Sequence, residues 1–547
     1  MQLSHTHRSL SASFDDPNLV SSAGLVPTMA LAAKTGLGTL VDEWVKLPGY
    51  FGANAGMKAL ALVAGMLTGA DSIDDMAMLR HGALRKLFTG TYAPSTLGSF
   101  LRAFAFGHVR QLDAAASRWL QNLAAAVPIV AGIDDLALVD IDDTIKEVHG
   151  YKKQGAGFGY SGIRGLNALF AIVSTGLAAP IIVACRLRKG PTNSARGAAK
   201  FVSDTLATVK RLRSPTATGL LLLRADSAYY VSAVIKAALR AGAMVSITAR
   251  LNSLVKAAIS TIPETAWTPI KYTNAIFDDT TGRWISDAEV AEIPFTAFGS
   301  KKKSEQVPGR LVVRRIPELN KTVEAGQGTL FDLFRFHAFF TTSTLNTVDA
   351  DKTHRQHAVI ENLNADMKAS ALAHFPSGVF TANAAWLVLA SIAFNLTRAA
   401  GTLASGALGK AVTATVRRKL INVAARVSTS ARRITLHLPE HWPWEHGWTA
   451  VFPASAAHRA QPPPNHPAPE GAIKNTQWNT TASRPNPQTR PNHENAVRTK
   501  SRFRQRPTGG FRLKLTAMGD EERLPARGPC VRILTGGRAR RNTLRNF

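Results

Sequence analysis

The chain has 547 residues, which at about 150 residues per domain gives two to four domains and excludes a peptide hormone or a disulfide knot. Apolar residues make up 45% and charged residues 19%, ordinary globular usage, yet 66 Lys and Arg stand against 37 Asp and Glu, a net charge of +29 that points to a polyanionic partner. Residues 455–547 carry +13 of it and the rest +16, so the body is basic in its own right. Two distant cysteines, Cys185 and Cys530, exclude a disulfide framework and a thiolate zinc site.

Residues 1–16 are polar and carry no apolar signal core. Two uncharged stretches, 165–185 and 375–396, reach bilayer length. Asn167, Ser174, Thr175, Gly176 and Pro180 break the first into two β-rich runs, and the second fits a core helix, so no membrane association is expected.

From residue 21 to about 130 the pattern is helical, over 57–67 and 73–88, with a break at 89–94 and a new start near Ser95. Arg80, Arg85, Lys86 and Arg102 lie there, with Ser95 and Thr96 as caps; a helix-turn-helix DNA module and a plain bundle with a basic face both fit. An α/β pattern follows over 131–250. Strands are expected at 136–142, 163–174, 178–187, 219–226 and 243–249, and helices at 194–213 and 228–241. Three successive strands followed by helix and strand in alternation is the order of a ribonuclease H-like fold. Over 251–345 the helical period gives way to short β-like runs at 267–272, 284–285, 293–298 and 310–316, read as a β-rich insertion. Helical signal resumes over 346–400 and, with basic residues, over 401–454, where a helix at 411–433 with Arg417, Arg418, Lys419, Arg426, Arg432 and Arg433 is expected either to lie along DNA or to be a basic solvated face; residues 1–20 and the Pro- and Arg-rich 455–547 read as disordered.

The acids stand at strand ends. Period-two alternation puts Asp140 and Asp142 on one face of the first strand and Asp143 on the other. A second apolar strand ends in Arg224-Ala225-Asp226. If the two strands are parallel neighbours, Asp142 and Asp226 can share a metal ion, although Asp226 alone also suits a helix cap. On an expected helix at 352–373, His354, His357, Glu361, Asn364 and Lys368 share one stripe, which is either functional or a solvated charged face.

The runs DIDDTIKEVHG (140–150), GAGFGYSGIRG (155–165), LRKG (187–190) and LRADSAYY (223–230) resemble DDE-type insertion-sequence transposases of the insertion sequence 1380 group. GADSIDDMAMLR (69–80), STLGSFLRAF (95–104) and ARRITLHLP (431–439) fit the same group, so the resemblance spans about residues 21–453. It implies Asp142, Asp226 and Glu361 as the three catalytic, metal-binding acids, with Asp140 as the alternative first acid. They would hold two Mg²⁺ or Mn²⁺ ions that activate the attacking oxygen and stabilise the leaving one.

The helix also resembles the Tyr-Arg-Glu-Lys signature of such enzymes, with Lys368 in the Lys position but His354 and His357 where Tyr and Arg are usual; a histidine grips phosphate less firmly than an arginine. Lys368, His357, His354, Arg355, Arg224, Lys152, Lys153 and Trp284 are the candidate DNA contacts.

The expected function is cut-and-paste transposition by a homodimer on double-stranded DNA, bringing together terminal inverted repeats and target DNA, in the cytoplasm at the nucleoid of a bacterium. Two alternatives stand beside it. One is a catalytically impaired copy that still binds transposon ends. The other is a haloacid dehalogenase-like phosphatase, since 140–144 also matches DxDxT; the paired acids such an enzyme needs later are missing, because no acid follows Asp226 before Glu264. The GxGxxG at 157–162 precedes a strand and reads as a glycine-rich turn.

Overall fold

The structure, a computed structural model, describes residues 1, 4–5, 7–271, 288–317 and 334–455, with backbone alone at 7, 277–278, 283–284, 317 and 454–455. The expected disordered tail beyond residue 455, and the side chain of Trp284, lie outside the described residues.

A ten-stranded mixed sheet organises the chain. Its strands are β1 (Leu136–Glu147), β2 (Gly157–Phe158), β3 (Arg164–Ser174), β4 (Ile181–Lys189), β5 (Leu220–Ala225), β6 (Met244–Thr248), β7 (Thr268–Ile270), β8 (Ala288–Ala297), β9 (Val307–Pro317) and β10 (Phe334–Thr341). The order is β2-β3-β1-β5-β6-β10-β9-β8-β7, with β4 also on β3. β1, β3 and β4 run antiparallel in succession, whereas β1, β5 and β6 are mutually parallel. Helices α6 (Ala198–Leu212) and α7 (Ser232–Arg240) make the crossovers that parallel pairing demands. The β-rich segment after residue 251 extends this same sheet, because β10 pairs antiparallel with β6. β10 itself escaped the sequence reading.

Apolar content explains the centre. β3 is buried from Gly165 to Val173, as befits a strand covered on both faces. Its neighbours approach closely: a Cβ on Gly190 would fall 2.2 Å from the Gly165 carbonyl oxygen and 2.3 Å from that of Gly157. This accounts for glycine at those places in the 155–165 and 187–190 runs.

The described N-terminal region is helical, with α1 (Leu25–Lys34), α2 (Leu37–Trp44), α3 (Ala55–Thr68), α4 (Pro94–Arg102) and α5 (Phe106–Ala126). The expected helix at 73–88 is instead a 3₁₀ run, Asp74–Arg80, and one turn, Leu84–Leu87, separated at Gly82, whose φ of +52° breaks the helical path. α4 starts on Pro94 rather than on a Ser95 or Thr96 cap, since proline at the first turn forfeits no hydrogen bond. Arg80, Arg85, Lys86 and Arg102 are all exposed.

The apolar helix α10 (Phe380–Ala404) is long and apolar enough to cross a membrane by composition, but 89% of its most apolar window is buried inside the protein, against β4, α3 and α5. Asn395 fixes it there: its Oδ1 accepts from the Ile182 N–H at 2.9 Å and its Nδ2 donates to the Ile182 carbonyl at 2.7 Å, so one side chain pairs the buried backbone of β4. The expected basic helix at 411–433 is a correction. Helix ends at Ile421, and β-branched Val427, Thr429, Ile434 and Thr435 form a hairpin, Ala425–Ser430 with Arg433–His437, onto which Leu19–Val20 adds. Arg417, Arg418, Lys419, Arg426, Arg432 and Arg433 therefore do not share one helix face.

Asn395→Leu leaves the Ile182 N–H and carbonyl buried without partners and should lower stability by about 2–4 kcal/mol. Urea unfolding followed by circular dichroism reads this as a lower midpoint; an unchanged midpoint would refute the pairing role.

Candidate active site

β1 and β5 pair in parallel with Asp140 opposite Arg224 and Ile141 opposite Ala225, so Asp142 and Asp226 come next on adjacent strands. The helical segment α8 (Thr347–Arg355), a 3₁₀ turn at Gln356–Ala358 and α9 (Val359–Lys368) crosses this end of the sheet, with α9 against β1. The helix expected at 352–373 thus starts earlier, ends earlier and is broken by a 3₁₀ turn at His357.

Three acids within four residues have three different surroundings. Asp140 is fully buried, its Oδ1 taking Arg224 Nε at 2.7 Å and His357 Nδ1 at 2.8 Å, its Oδ2 taking Arg224 Nη2 at 2.6 Å. Burial opposes ionisation of Asp140, but the Arg224 charge and the His357 hydrogen bond prevail and hold its pKa below the usual carboxylate value. Burial likewise opposes protonation of His357, and the hydrogen bond and charge of Asp140 outweigh it, raising the imidazole pKa. Arg224 Nη1 also donates to the Thr353 carbonyl at 2.5 Å, so one buried guanidinium ties both core strands to the α8–α9 junction.

Asp143, on the opposite face, forms an ion pair with Arg188 at 2.7 Å and accepts from the Tyr229 hydroxyl at 2.7 Å and from Asn167 Nδ2. Arg188 and Tyr229 lie in the 187–190 and 223–230 runs without having been singled out as individual residues.

Asp142 has neither of these arginines as a partner and feels the charges of two carboxylates, Asp226 and Asp143. Burial and the neighbouring Asp226 charge raise its pKa to about 7, against the opposing charge of His357. Burial also raises the pKa of Asp226, whose Oδ1 caps the following 3₁₀ turn by accepting the Ala228 N–H at 3.0 Å. The capping reading of Asp226 is therefore real, and it coexists with proximity to Asp142.

Asn364 Nδ2 donates to Asp142 Oδ2 at 3.0 Å, and Lys368, its pKa lowered by burial and by Lys146, feels the Asp142 charge. Glu361 lies one turn before Asn364 on the same side of α9 and is exposed. Among the described residues, no group of three or more His, Cys, Asp and Glu is gathered closely enough to hold a metal ion. The structure brings Asp142 and Asp226 together, and leaves Glu361 on the exposed rim.

The remaining candidates are dispersed. His354 is packed inward, stacked on Phe339 at 4.1 Å, with Nδ1 2.9 Å from Ser246 Oγ and Nε2 3.1 Å from Thr248 Oγ1; burial pushes its pKa well below the usual value. Arg355 pairs with Asp351 at 2.8 Å. Lys152 is exposed, whereas Lys153 turns back to the Phe375 carbonyl. Arg250, whose charge reaches Asp226, was missed because only the fold brings it near. Cys185 is buried, which pushes its thiol to about 12 and keeps it protonated.

A core of parallel and antiparallel strands with one carboxylate inside β1 and another just past the end of β5, under a helix carrying a third acid and a lysine, makes a site suited to phosphoryl chemistry on a polyanion. Residues 3–458 match the family described as transposase DDE domain group 1, and the chain belongs to that family of DNA-acting transposases. No curated protein matches the chain.

The raised Asp142 pKa sets a pH dependence. Between about pH 4 and 7 the native state holds a proton that the unfolded chain releases, so stability falls as pH rises through this window and the full penalty stands above it. Without divalent metal, Asp142→Asn should therefore exceed the parent in stability at pH 8, by up to about 4 kcal/mol. Near pH 4 the two should converge. Thermal melts in chelator across pH check this, and equal melting at pH 8 would contradict it.

Proposed function

We propose that the protein is a cut-and-paste transposase of the insertion sequence 1380 type, built on a ribonuclease H-like core, with Asp142, Asp226 and Glu361 as its catalytic acids. The observation that carries this reading is that Asp142 and Asp226 lie one position beyond the last parallel pair of β1 and β5, Ile141 and Ala225, while Asp140 is sequestered by Arg224. The order β4-β3-β1-β5-β6, with β1, β3 and β4 antiparallel, supports the core assignment.

The donor set fits a hard divalent cation. Two neighbouring carboxylates whose pKa values are raised chiefly by burial would be stabilised in their charged form by a cation, and oxygen ligands suit Mg²⁺ or Mn²⁺. Asp142 and Asp226 would hold the metal, two ions in all, with Glu361 from α9 completing the set. Bound there, the metal supplies Lewis acidity and a hydroxide or alkoxide nucleophile at neutral pH.

The protein's own groups do the rest. Asn364 holds the Asp142 carboxylate in one orientation, and Lys368 faces a backbone phosphate. Arg224, Asp140 and His357 fix the helix turn that precedes Glu361. The scissile phosphodiester lies at a terminal inverted repeat, and the freed 3′-OH joins target DNA. Two copies on the two ends form the working dimer, acting on DNA of the bacterial nucleoid in the cytoplasm.

Full burial of Asp140 with both oxygens occupied speaks against the dehalogenase-like phosphatase reading, which needs that carboxylate open to substrate. A second reading, an impaired copy that binds ends without cutting them, is favoured by one observation: His354 and His357, in the Tyr and Arg positions of the signature, both turn into the protein.

The test is nicking of a duplex carrying the element's own terminal repeat in Mg²⁺ or Mn²⁺. Parent protein should nick at the repeat boundary, and Asp226→Ala and Glu361→Ala should abolish it. Binding without nicking by the parent would establish the impaired copy; nicking that survives both substitutions would refute the acid assignment.

A further inference from the structure

The hairpin joining β1 to β3 carries a surface that the acid site does not use. Tyr151, Phe158 and Tyr160 stand there 97%, 65% and 110% exposed, and Ile163 is 43% exposed. Isolated exposed apolar residues are ordinary, but three exposed aromatic rings within ten residues of one hairpin call for an occupant.

The frame beneath the rings is fixed. The Gln154 N–H donates to the Gly378 carbonyl at 2.9 Å, Gln154 Oε1 accepts from the Phe380 N–H at 3.1 Å, and the Gly190 N–H donates to the Gly155 carbonyl at 2.9 Å. Arg164 Nη1 donates to the Gly150 carbonyl at 2.8 Å, holding its guanidinium 5.7 Å from the centre of the Tyr151 ring. The hairpin is thus tied to the end of β4 and to the approach to α10, while its rings face outward.

Charge selects the partner. Residues 148–164 contain Lys152, Lys153 and Arg164 and no acid. An aromatic surface in a basic setting matches unpaired nucleotides, whose bases stack on rings while their phosphates meet cations. A protein partner fits less well, because the centres of protein interfaces are depleted of lysine. Position agrees: β1 runs five residues from Asp142 to Glu147, so at about 3.3 Å per residue the hairpin starts roughly 17 Å beyond the acid pair, or about five nucleotides.

We infer that the hairpin 148–163 is a stacking platform for unpaired bases of the DNA engaged at the acid site. Phe158 and Tyr160 meet base faces, and Lys152 and Arg164 meet phosphates. The inference rests on the transposase reading for its substrate, but its test needs neither metal nor cleavage.

The full-length protein in chelator is titrated with an intact duplex and with the same duplex carrying a short single-stranded thymidine gap with one 2-aminopurine. The parent should prefer the gapped DNA and quench the 2-aminopurine. The combined Tyr151→Ala, Phe158→Ala and Tyr160→Ala variant, with unchanged thermal melting, should lose about tenfold or more in affinity for gapped DNA and bind intact duplex as before. Tyr160→Phe should retain the preference. A triple variant that still prefers gapped DNA would overturn the inference. So would a triple variant that sediments at lower mass with unchanged DNA affinity, which would assign the patch to a second copy. Failure of the acid assignment would appear separately, as nicking by Asp226→Ala with the binding preference intact.

Discussion

The ion pair between Asp140 and Arg224 sits at the centre of the sheet with both side chains fully buried. Removing two charges from water is costly, and the pair is tolerable only because its geometry is bidentate and its remaining valences are filled by His357 and the Thr353 carbonyl. Those same bonds join β1, β5 and the α8–α9 junction. The positions next along the two strands are Asp142 and Asp226, so the pair sets the register of the carboxylates that matter. It also fixes the turn from which α9 carries Asn364 to Asp142. A core built this way cannot shift one strand by a residue without leaving a buried charge unpaired.

The opposite face of β1 is locked by the same logic with different residues. Asp143 collects Arg188, Tyr229 and Asn167, which tie β1 to β3, β4 and the turn after β5. Asp142 lies between two arginine-paired acids, itself without an arginine partner and beside Asp226. Its raised pKa is the electrostatic signature of that position. Behind this layer, α10 packs against β4 and the N-terminal helices, so one apolar segment links the helical region to the sheet.

The α/β core was legible in the sequence because its signals are local. The runs at 136–142, 163–174 and 219–226 are apolar and each is a strand, although the first continues through Asp142 to Glu147, past the polar residues that suggest its end. Alternation alone separated Asp143 from Asp140 and Asp142. What sequence could not supply was which of Asp140 and Asp142 is occupied by a partner, since Arg224 lies 84 residues away and meets Asp140 only through strand register. The 411–433 stretch misled because its spaced arginines imitate a helix face, while β-branched residues and pairing with Leu19–Val20 decide for a hairpin. β10 was missed because its partners, β6 and β9, are distant in the chain. The aromatic hairpin was legible as a glycine-rich turn, but the outward direction of its rings emerges only from the fold.

The central claim is that Asp142 and Asp226 share divalent metal while Asp140 does not. Anomalous diffraction from crystals grown with Mn²⁺ and a terminal-repeat duplex tests it most directly. The account predicts manganese between the carboxylates of Asp142 and Asp226, with Glu361 turned toward it and Asp140 still bound to Arg224. Manganese on Asp140, or none at the acid pair in a DNA-bound crystal, would contradict it.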